Sequence, residues 1–280
     1  MAERSSTRPE TAREPIEIDT GTAHTSRMYD YLLGGTDNFA VDRETAHHAF
    51  AAYPGGFEAA RADARSNRAF IGRVVRYLAG EAGIRQFLDI GTGIPGPDNV
   101  HAVVKQVAPD SKVVYVDNDL IVLAHAHALL KGEPDTRYVD ADLRDPAGVL
   151  AAAGETLDFS KPVAVLLIGI LHVIPDSAQP HRVVSELLDA VPSGSYLGAT
   201  HLLRDVESEQ MAELFARLEA TTSTTNPPAF RTRDEFARFF DGLELVEPGL
   251  VEVNAWRPDA NTPAASGRAV PLYSAVGRKP

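Results

Sequence analysis

One stretch decides the fold, Phe87-Leu88-Asp89-Ile90-Gly91-Thr92-Gly93-Ile94-Pro95-Gly96. An apolar strand pattern runs directly into a glycine turn, and a helical pattern follows it. Glycine at Gly91 and Gly93 lets a ligand approach the backbone, where a Cβ would obstruct it. Together with Gly96 these residues match the pattern G-x-G-x-x-G of nucleotide-binding turns. Asp89, Gly91, Thr92 and Gly93 are therefore candidate ligand contacts, with a purely structural turn as the alternative.

Around this stretch, predicted strands and helices alternate along the chain. Runs rich in Val, Leu and Ile predict strands, and apolar spacings of three and four predict helices. Strands that are apolar throughout and separated by helices are typical of a parallel sheet covered on both faces. The sequence thus predicts an α/β, doubly wound domain. The predicted strands are 86–90, 112–116, 136–139, 163–168 and 195–201, and the predicted helices are 25–33, 42–53, 57–79, 99–107, 120–130, 145–153, 178–190, 208–219 and 232–240.

The end of the chain departs from this alternation. Residues 243–253 and 271–276 look like two strands with no helix between them. Such a pair predicts a mostly parallel seven-stranded sheet that ends in an antiparallel strand. The connection 254–268, rich in Pro, Asn and Ala, is predicted to be a surface loop.

Acidic segments follow two of the predicted strands. Asp117 and Asn118 come after strand 112–116, and a carboxylate there can accept hydrogen bonds from both ribose hydroxyls of an adenosine ligand. Asp142 and Leu143 follow the next strand, where a carboxylate can accept from the exocyclic amine of adenine and Leu143 can pack on the ring. A strand-end cap or a solvated loop is the alternative for each segment.

Composition narrows the class of partner. The chain has 280 residues, 39 acidic against 27 basic side chains, a net charge of −12 and no cysteine. The acidic surface repels phosphate backbones and anionic lipid, so a small-molecule partner is expected, without nucleic acid or membrane. The polar, aperiodic residues 1–20 predict a flexible tail and contain no secretory signal. With no apolar run of about 18 residues, a cytoplasmic protein is expected.

The glycine turn, the acidic strand end and the acidic loop, in this order, resemble the class I, Rossmann-like S-adenosylmethionine-dependent methyltransferases. A narrower resemblance, to an actinobacterial methyltransferase family long classed only as a domain of unknown function, comes from the segments 27–39 and 66–70. The closing segment 273–278 extends the match over nearly the whole chain. The resemblance implies S-adenosylmethionine as cofactor and methyl transfer as activity, and it leaves the acceptor open.

The resemblance also implies how the chain is divided. A helical lid, residues 21–56, precedes a methyltransferase domain, residues 57–280. Arg27, Tyr31, Asn67 and Arg68 then lie over the methionine end of the cofactor, with Arg27 or Arg68 at its carboxylate. Asp89 is expected to accept from the methionine ammonium, directly or through water. Ordinary packing or a solvated position is the alternative for the lid residues.

His172 is the candidate catalytic residue. It follows strand 163–168, where methyltransferases keep residues that face the acceptor, and imidazole titrates near neutrality. A buried histidine bonded to backbone is the alternative, and His201 has a weaker claim of the same kind. His125 and His127 lie two apart on a predicted helix and so do not share a face, and no metal site is expected.

Three functions remain open at this point. The first is methyl transfer to a small molecule. The second is a non-catalytic S-adenosylmethionine-binding or sensor protein, because no residue is an unmistakable base. The third is a nicotinamide-dependent oxidoreductase, which fits the glycine pattern but not Pro95, since Pro95 removes an N–H that a pyrophosphate site would use. The sequence leaves the oligomeric state open, a homodimer being one option.

Overall fold

The computed structural model describes residues 19–96, 98–129, 133–205, 209–219, 228–263 and 270–280. Side chains are described throughout these ranges except at 126–129, 209–210 and 218–219. Of the predicted flexible tail, residues 1–18 lie outside the described residues.

A single twisted sheet forms the centre of the described structure, in the order β3-β2-β1-β4-β5-β8-β6, with β7 also paired to β8. The strands β1 to β5 run parallel, whereas β8 is antiparallel to β5, β6 and β7. The strands are β1 (Gln86–Ile90), β2 (Lys112–Asp117), β3 (Thr136–Asp140), β4 (Ala164–Leu167), β5 (Tyr196–Leu202), β6 (Glu244–Leu245), β7 (Val251–Glu252) and β8 (Leu272–Arg278). The chain reverses its direction of progress across the sheet between β1 and β4, which opens a crevice at the carboxyl ends of these strands.

Helices cover both faces of the sheet, as the apolar strands predicted. The helices are α1 (Thr25–Leu33), α2 (Ala40–Ala49), α3 (Gly56–Gly80), α4 (Val100–Val107), α5 (Leu120–Leu129), α6 (Pro146–Ala153), α7 (Pro180–Asp189), α8 (Glu209–Glu219) and α9 (Arg233–Ala237). One apolar core packs α6, α7 and α9 on the sheet, and a second core packs α3 and α4 on the other face. The doubly wound prediction is confirmed.

The C-terminal region corrects two predictions. The expected strand 243–253 is broken into β6 and β7, which pair with the two ends of β8. The expected surface loop 254–268 begins with a buried anchor, because Trp256 is fully buried and packs edge-on against Phe70 and Tyr77. Arg73 fixes the same segment by donating to the carbonyl of Trp256 at 3.0 Å. Residues 264–268 of that loop lie outside the described residues.

The N-terminal helices form a third apolar core with α3 and α8. We call α1, α2 and the 3-10 turn Phe50–Ala52 the helical cap; the turn occupies the end of the single helix predicted over 42–53. Asp42, fully buried, joins its parts: Oδ1 accepts from the backbone N–H of His24 at 2.9 Å and from Arg27 Nε at 3.2 Å, and Oδ2 accepts from the N–H of Phe39 at 2.8 Å.

Candidate functional site

The glycine turn lies in the crevice, at the carboxyl end of β1. Gly91 has φ +72° and Gly93 has φ +67°, a conformation that L side chains rarely adopt. A Cβ on Gly91 would come within 2.5 Å of Ile170 Cγ1. The next helix, α4, starts only at Val100, so Pro95 lies in a loop and not in a first helical turn. The turn therefore lacks the adjoining helix N-terminus that cradles a pyrophosphate in dinucleotide sites.

Asp117 is held beside the turn at the end of β2. Its Oδ2 accepts from the backbone N–H of Gly93 at 2.8 Å, and its Oδ1 accepts from the N–H of Asp119 at 3.0 Å. Burial raises the pKa of Asp117 above its usual value, and these two hydrogen bonds oppose the shift. The carboxylate is thus fixed in orientation where β1 and β2 end together.

Asn118, Asp142 and Leu143 line a small cavity that adjoins Asp117 and Ile170. Asn118 Nδ2 donates to Asp142 at 3.3 Å. Arg144 donates to both oxygens of the Asp142 carboxylate at 2.9 Å, and this contact lowers the pKa of Asp142. Asn118 and the predicted adenine-side residues Asp142 and Leu143 are therefore brought together in one place.

Asp89 and Arg68 lie on the other side of the glycine turn. Burial raises the pKa of Asp89 to about 6, against the lowering effects of Arg68 and of a hydrogen bond from Thr92. Arg68 lines the main cavity and donates to the side-chain oxygen of Asn99, the residue that precedes α4. Asp89 itself lies in β1 and is not among the described residues that line the two cavities.

The main cavity measures about 220 Å³ and runs from the glycine turn to the helical cap. The end nearest the sheet, which we call the cofactor end, is lined by Gly91, Thr92, Gly93, Asp117, Asn118 and Arg68. The other end, which we call the acceptor end, is lined mainly by apolar and aromatic side chains. They include Met28, Tyr29, Leu32, Phe50, Tyr53, Ala60, Leu202, Phe230 and Leu272.

Asn67 lies in the cavity wall and ties several elements together. Its Nδ2 donates to the Tyr29 hydroxyl at 3.1 Å, and that hydroxyl donates to the carbonyl of Ala64 at 3.0 Å. Its Oδ1 accepts from the Thr200 hydroxyl at 2.8 Å, which in turn accepts from the N–H of Gly169 at 2.9 Å. Asn67 therefore links the helical cap to the ends of β4 and β5.

His172 lines the cavity from the 3-10 turn that follows β4. Its Nδ1 is buried and has no hydrogen-bond partner within the described part of the chain. Burial, together with the nearby Arg231, lowers the pKa of His172 to about 4. The imidazole is therefore neutral at pH 7, and the expectation that it titrates near neutrality is wrong, because burial moves its titration to lower pH.

His201 is fixed behind His172, with the two ring centroids 6.0 Å apart. Arg231 Nη1 lies 3.1 Å from His201 Nε2, and His201 Nδ1 lies 2.7 Å from the carbonyl of Leu202. Because arginine can only donate and a carbonyl can only accept, His201 is held as the neutral tautomer with the proton on Nδ1. Burial lowers its pKa well below the usual value. His201 is not among the described residues that line the cavity, and it contacts His172, which does line it.

Arg27 and Tyr31, like Asp89, are predicted cofactor residues that are not brought to the cavity. The Arg27 guanidinium is buried against Asp42 and donates to the carbonyl of Asp19 at 2.9 Å. The Tyr31 hydroxyl lies 2.8 Å from Nε2 of the exposed His47. Both residues stabilise the helical cap, and the expected contact of Arg27 or Tyr31 with the cofactor is replaced by this structural role.

Other residues at the site escaped the sequence reasoning. His24 Nδ1 lies 2.9 Å from Asp119 Oδ2, which also accepts from the Ser26 hydroxyl. Burial alone would raise the pKa of Asp119, but the contacts with His24 and Ser26 outweigh it and lower the pKa to about 2. Because Asp119 is more than 90 residues from His24 and Ser26 in the sequence, no local pattern predicts the contact. Asp63 of α3 also lines the cavity and was missed, because one acidic residue in a long helix gives no signal.

Comparison with known proteins places this geometry in a family. A crystal structure of a DUF574 family protein from Streptomyces avermitilis is 42% identical, covers 94% of this chain and 100% of its own, and has a TM-score of 0.86. A candidate methyltransferase from Thermobifida fusca is 40% identical, covers 93% and 96% of the two chains, and has a TM-score of 0.84. An O-methyltransferase family protein from Burkholderia thailandensis, 16% identical over 79% of this chain and 60% of its own, shares the fold at a TM-score of 0.50. No curated protein matches the chain.

The sheet order, the antiparallel β8 and the glycine turn beside Asp117 define a class I, Rossmann-like methyltransferase. The S-adenosyl methyltransferase family model matches residues 11–280, and the chain belongs to that family. S-adenosylmethionine is therefore its cofactor and methyl transfer its activity. Within the described residues, no helix is long and apolar enough to cross a membrane.

Proposed function

We propose that this enzyme methylates a small molecule that binds at the acceptor end of the cavity. The observation that carries the proposal is the continuity of one cavity from the glycine turn to an apolar, aromatic end formed by the helical cap. A concave apolar site with few polar groups is typical of small-molecule binding. The net charge of −12 further disfavours nucleic acid as acceptor.

The residues at the cofactor end fit S-adenosylmethionine. A Cβ at Gly91 would fill the turn, so glycine keeps open a place where ligand can meet backbone. Asp117 supplies an oriented carboxylate for ribose hydroxyls, and we assign Asn118, Asp142 and Leu143 to adenine. At the methionine end we assign Arg68 to the carboxylate, and Asp89, as a hydrogen-bond acceptor directly or through water, to the ammonium.

When bound, S-adenosylmethionine supplies a methyl carbon activated by its positive sulfur, which keeps the electron pair of the broken C–S bond. The enzyme's main task is then to orient the acceptor atom and to exclude water. The helical cap and the Asn67 contacts supply that enclosure. We assign to His172 the proton that the acceptor atom loses on methylation, because its neutral imidazole lines the cavity.

Two measurements test this function. Calorimetry with S-adenosylmethionine and S-adenosylhomocysteine should show binding of both. The enzyme is then incubated with S-adenosylmethionine labelled in the methyl group and with the small-molecule, RNA and protein fractions of a cell extract. Label should enter the small-molecule fraction. Label in RNA or protein instead would refute the proposal, and binding without any transfer would favour the sensor function.

His172→Gln is the matched variant for the catalytic assignment. It keeps a polar side chain of similar reach but removes the titratable nitrogen. Transfer should fall by about 100-fold, the usual contribution of proton transfer, while the affinity for S-adenosylhomocysteine stays within about twofold of the wild type. Unchanged transfer would remove His172 from the reaction.

A further inference from the structure

A buried arginine contacts the turn that carries His172. Arg231 lies just before α9 and is 2% exposed. Its Nη1 donates to the carbonyl of Leu171 at 2.8 Å, and its Nη2 donates to the carbonyl of Ile174 at 2.9 Å. These two residues are the ends of the segment 171–174, which we call the His172 turn. One guanidinium therefore holds this turn on both sides of the imidazole.

The same guanidinium is bonded to the end of β5. Its Nη1 also lies 3.1 Å from His201 Nε2, and the backbone carbonyl of Arg231 accepts from the N–H of Arg204 at 3.0 Å. An arginine fork presents its donors in one rigid plane, so it fixes the distances among the acceptors that it contacts. Arg231 thus sets the position of the His172 turn relative to β5.

A backbone contact from the neighbouring residues reaches His172 itself. The N–H of Ala229 donates to the carbonyl of His172 at 2.6 Å. Pro228 and Phe230, on either side of Ala229, line the main cavity. The segment 228–231 therefore holds the His172 turn and also forms part of the cavity wall.

The ion pair of Arg231 does not explain why a guanidinium is buried here. Nη2 donates to Asp176 at 2.6 Å, but the Asp176 side chain is 83% exposed. Burying a guanidinium is costly, and a pair with an exposed carboxylate offsets little of that cost. The hydrogen bonds to the His172 turn and to His201 are buried, so these acceptors account for the position of the guanidinium.

We propose that Arg231 is a positioning residue for His172, because its guanidinium holds the His172 turn where the imidazole can face the acceptor. This inference rests on the proposed function, which assigns to His172 the proton that the acceptor atom loses. Arg231 is not among the described residues that line the main cavity, so it acts through His172 and not on the acceptor. Its positive charge adds to burial in lowering the pKa of His172 and so helps to keep the imidazole neutral.

The wild-type enzyme gives the first test. Because the two Nη nitrogens of Arg231 have different partners, rotation of the guanidinium should be slow. NMR of protein containing isotope-labelled arginine, saturated with S-adenosylhomocysteine, should therefore resolve the two Nη nitrogens of Arg231 as separate signals. A single averaged Nη signal would mean that the guanidinium rotates freely, and that result overturns the proposal without any variant.

Arg231→Lys tests the positioning role in the reaction. Lysine keeps the positive charge but is a point donor that cannot span the carbonyls of Leu171 and Ile174. Transfer of labelled methyl groups into the small-molecule fraction of a cell extract should fall by about 10- to 100-fold, as expected when a reacting group is misplaced by about 1 Å. The KM for S-adenosylmethionine should stay within about twofold of the wild type. Unchanged transfer contradicts the proposal.

A double variant shows whether Arg231 acts through His172. If it does, Arg231→Lys combined with His172→Gln should transfer no more slowly than His172→Gln alone, because residues that act as a unit give non-additive losses. Losses that multiply would show that Arg231 acts independently of His172, and the proposal would be wrong.

Arg73→Lys is the matched control. Arg73 is 4% exposed and donates to the carbonyls of Trp256 at 3.0 Å and Val253 at 2.6 Å, neither of which belongs to the His172 turn. This variant should lose stability in urea as Arg231→Lys does, but its rate of transfer should stay within about twofold of the wild type. Equal losses of transfer in the two variants would indicate general destabilisation instead of positioning.

His172→Gln separates this inference from the proposed function. If His172→Gln transfers as fast as the wild type, the role proposed for His172 is wrong, and Arg231 has no reacting group to position. If His172→Gln is slow but Arg231→Lys keeps the wild-type rate, only the inference about Arg231 is wrong.

Discussion

The two ends of the cavity are built in different ways. At the cofactor end, backbone and short polar side chains from neighbouring strand ends form the surface, and Asp117 is oriented by the N–H of Gly93. At the acceptor end, side chains of the helical cap, α3 and the loop at 228–230 meet across large sequence separations. The surface at the cofactor end follows from where the strands of this fold end. The surface at the acceptor end depends on contacts between side chains that are distant in sequence.

This difference predicts that the two ends respond separately to substitution. Changes in the glycine turn should affect the binding of S-adenosylhomocysteine and not that of the acceptor. Changes in the helical cap should do the reverse. The following predictions test that separation in order of decreasing effect.

The largest effect is expected for Asp42→Ala. The substitution removes the buried acceptor for Arg27 and for the N–H groups of His24 and Phe39. A buried charge left without its partner costs about 3 to 5 kcal/mol, so the free energy of unfolding in urea should fall by that amount. The rate of methyl transfer should fall with it. Glu44→Gln, at an exposed position of the same helix, should change neither quantity, and equal behaviour of the two variants would show that Asp42 does not hold the cap.

Gly91→Ala should weaken binding of S-adenosylhomocysteine by about 100-fold. Its Cβ would lie 2.5 Å from Ile170 Cγ1, and the left-handed backbone adds about 1 to 2 kcal/mol of strain. Gly83→Ala is the matched control, because Gly83 has φ +73° but no atom within 4 Å of an added Cβ. It should lose stability and still bind the ligand normally. Calorimetry on both variants decides the matter, and a Gly91→Ala variant with wild-type affinity would place the ligand elsewhere.

Asp117→Asn should weaken S-adenosylhomocysteine by about tenfold, because hydrogen bonds to a charged acceptor are replaced by neutral ones. The acceptor should bind as in the wild type. Asp140→Asn removes the same charge at the exposed end of β3, in direct register with Asp117, and should leave both ligands unaffected. Similar losses in the two variants would mean that general charge, and not a ribose contact, controls affinity.

The smallest effect concerns the pH dependence of stability and His172, which lines the cavity. Because the pKa of His172 is lowered to about 4, the unfolded state binds a proton near pH 5 that the native state does not, and stability falls as the pH drops from about 6.5 toward 4. Asp89, whose pKa is raised to about 6, contributes the opposite slope, but it is common to wild type and variant.

The thermal midpoint of wild type should therefore drop more between pH 7 and pH 5 than that of His172→Gln. His48→Gln, at an exposed position, serves as control and should follow the wild type. Parallel curves for wild type and His172→Gln would indicate that His172 titrates normally.

What the sequence allowed us to predict follows the same division. The strands β1 to β5 and the turn at Gly91 could be predicted, because apolar runs and glycines are local signals. Asp117, Asn118, Asp142 and Leu143 could be placed together, because parallel strands end at one edge. Whether these side chains contact the cofactor stays a prediction.

Side chains whose partners are distant in sequence could not be predicted. Arg27 has the positive charge expected of a residue that binds the cofactor carboxylate, but it forms an ion pair with the buried Asp42 instead. Trp256 lies in a segment with loop composition, yet an apolar site between α3 and the sheet buries it. Asp63 lies in the cavity wall, beside Tyr53, only because the helical cap packs against α3.

The contact of His24 and Ser26 with Asp119 has a kinetic consequence. It fastens the first turn of the cap two residues from Asp117, while the remainder of the cap walls the acceptor end. The helical cap thus contacts both ends of the one cavity, so a displacement of the cap would open both ends together. Departure of the spent cofactor and escape of the methylated product are then expected to be gated by one motion and to share a common rate.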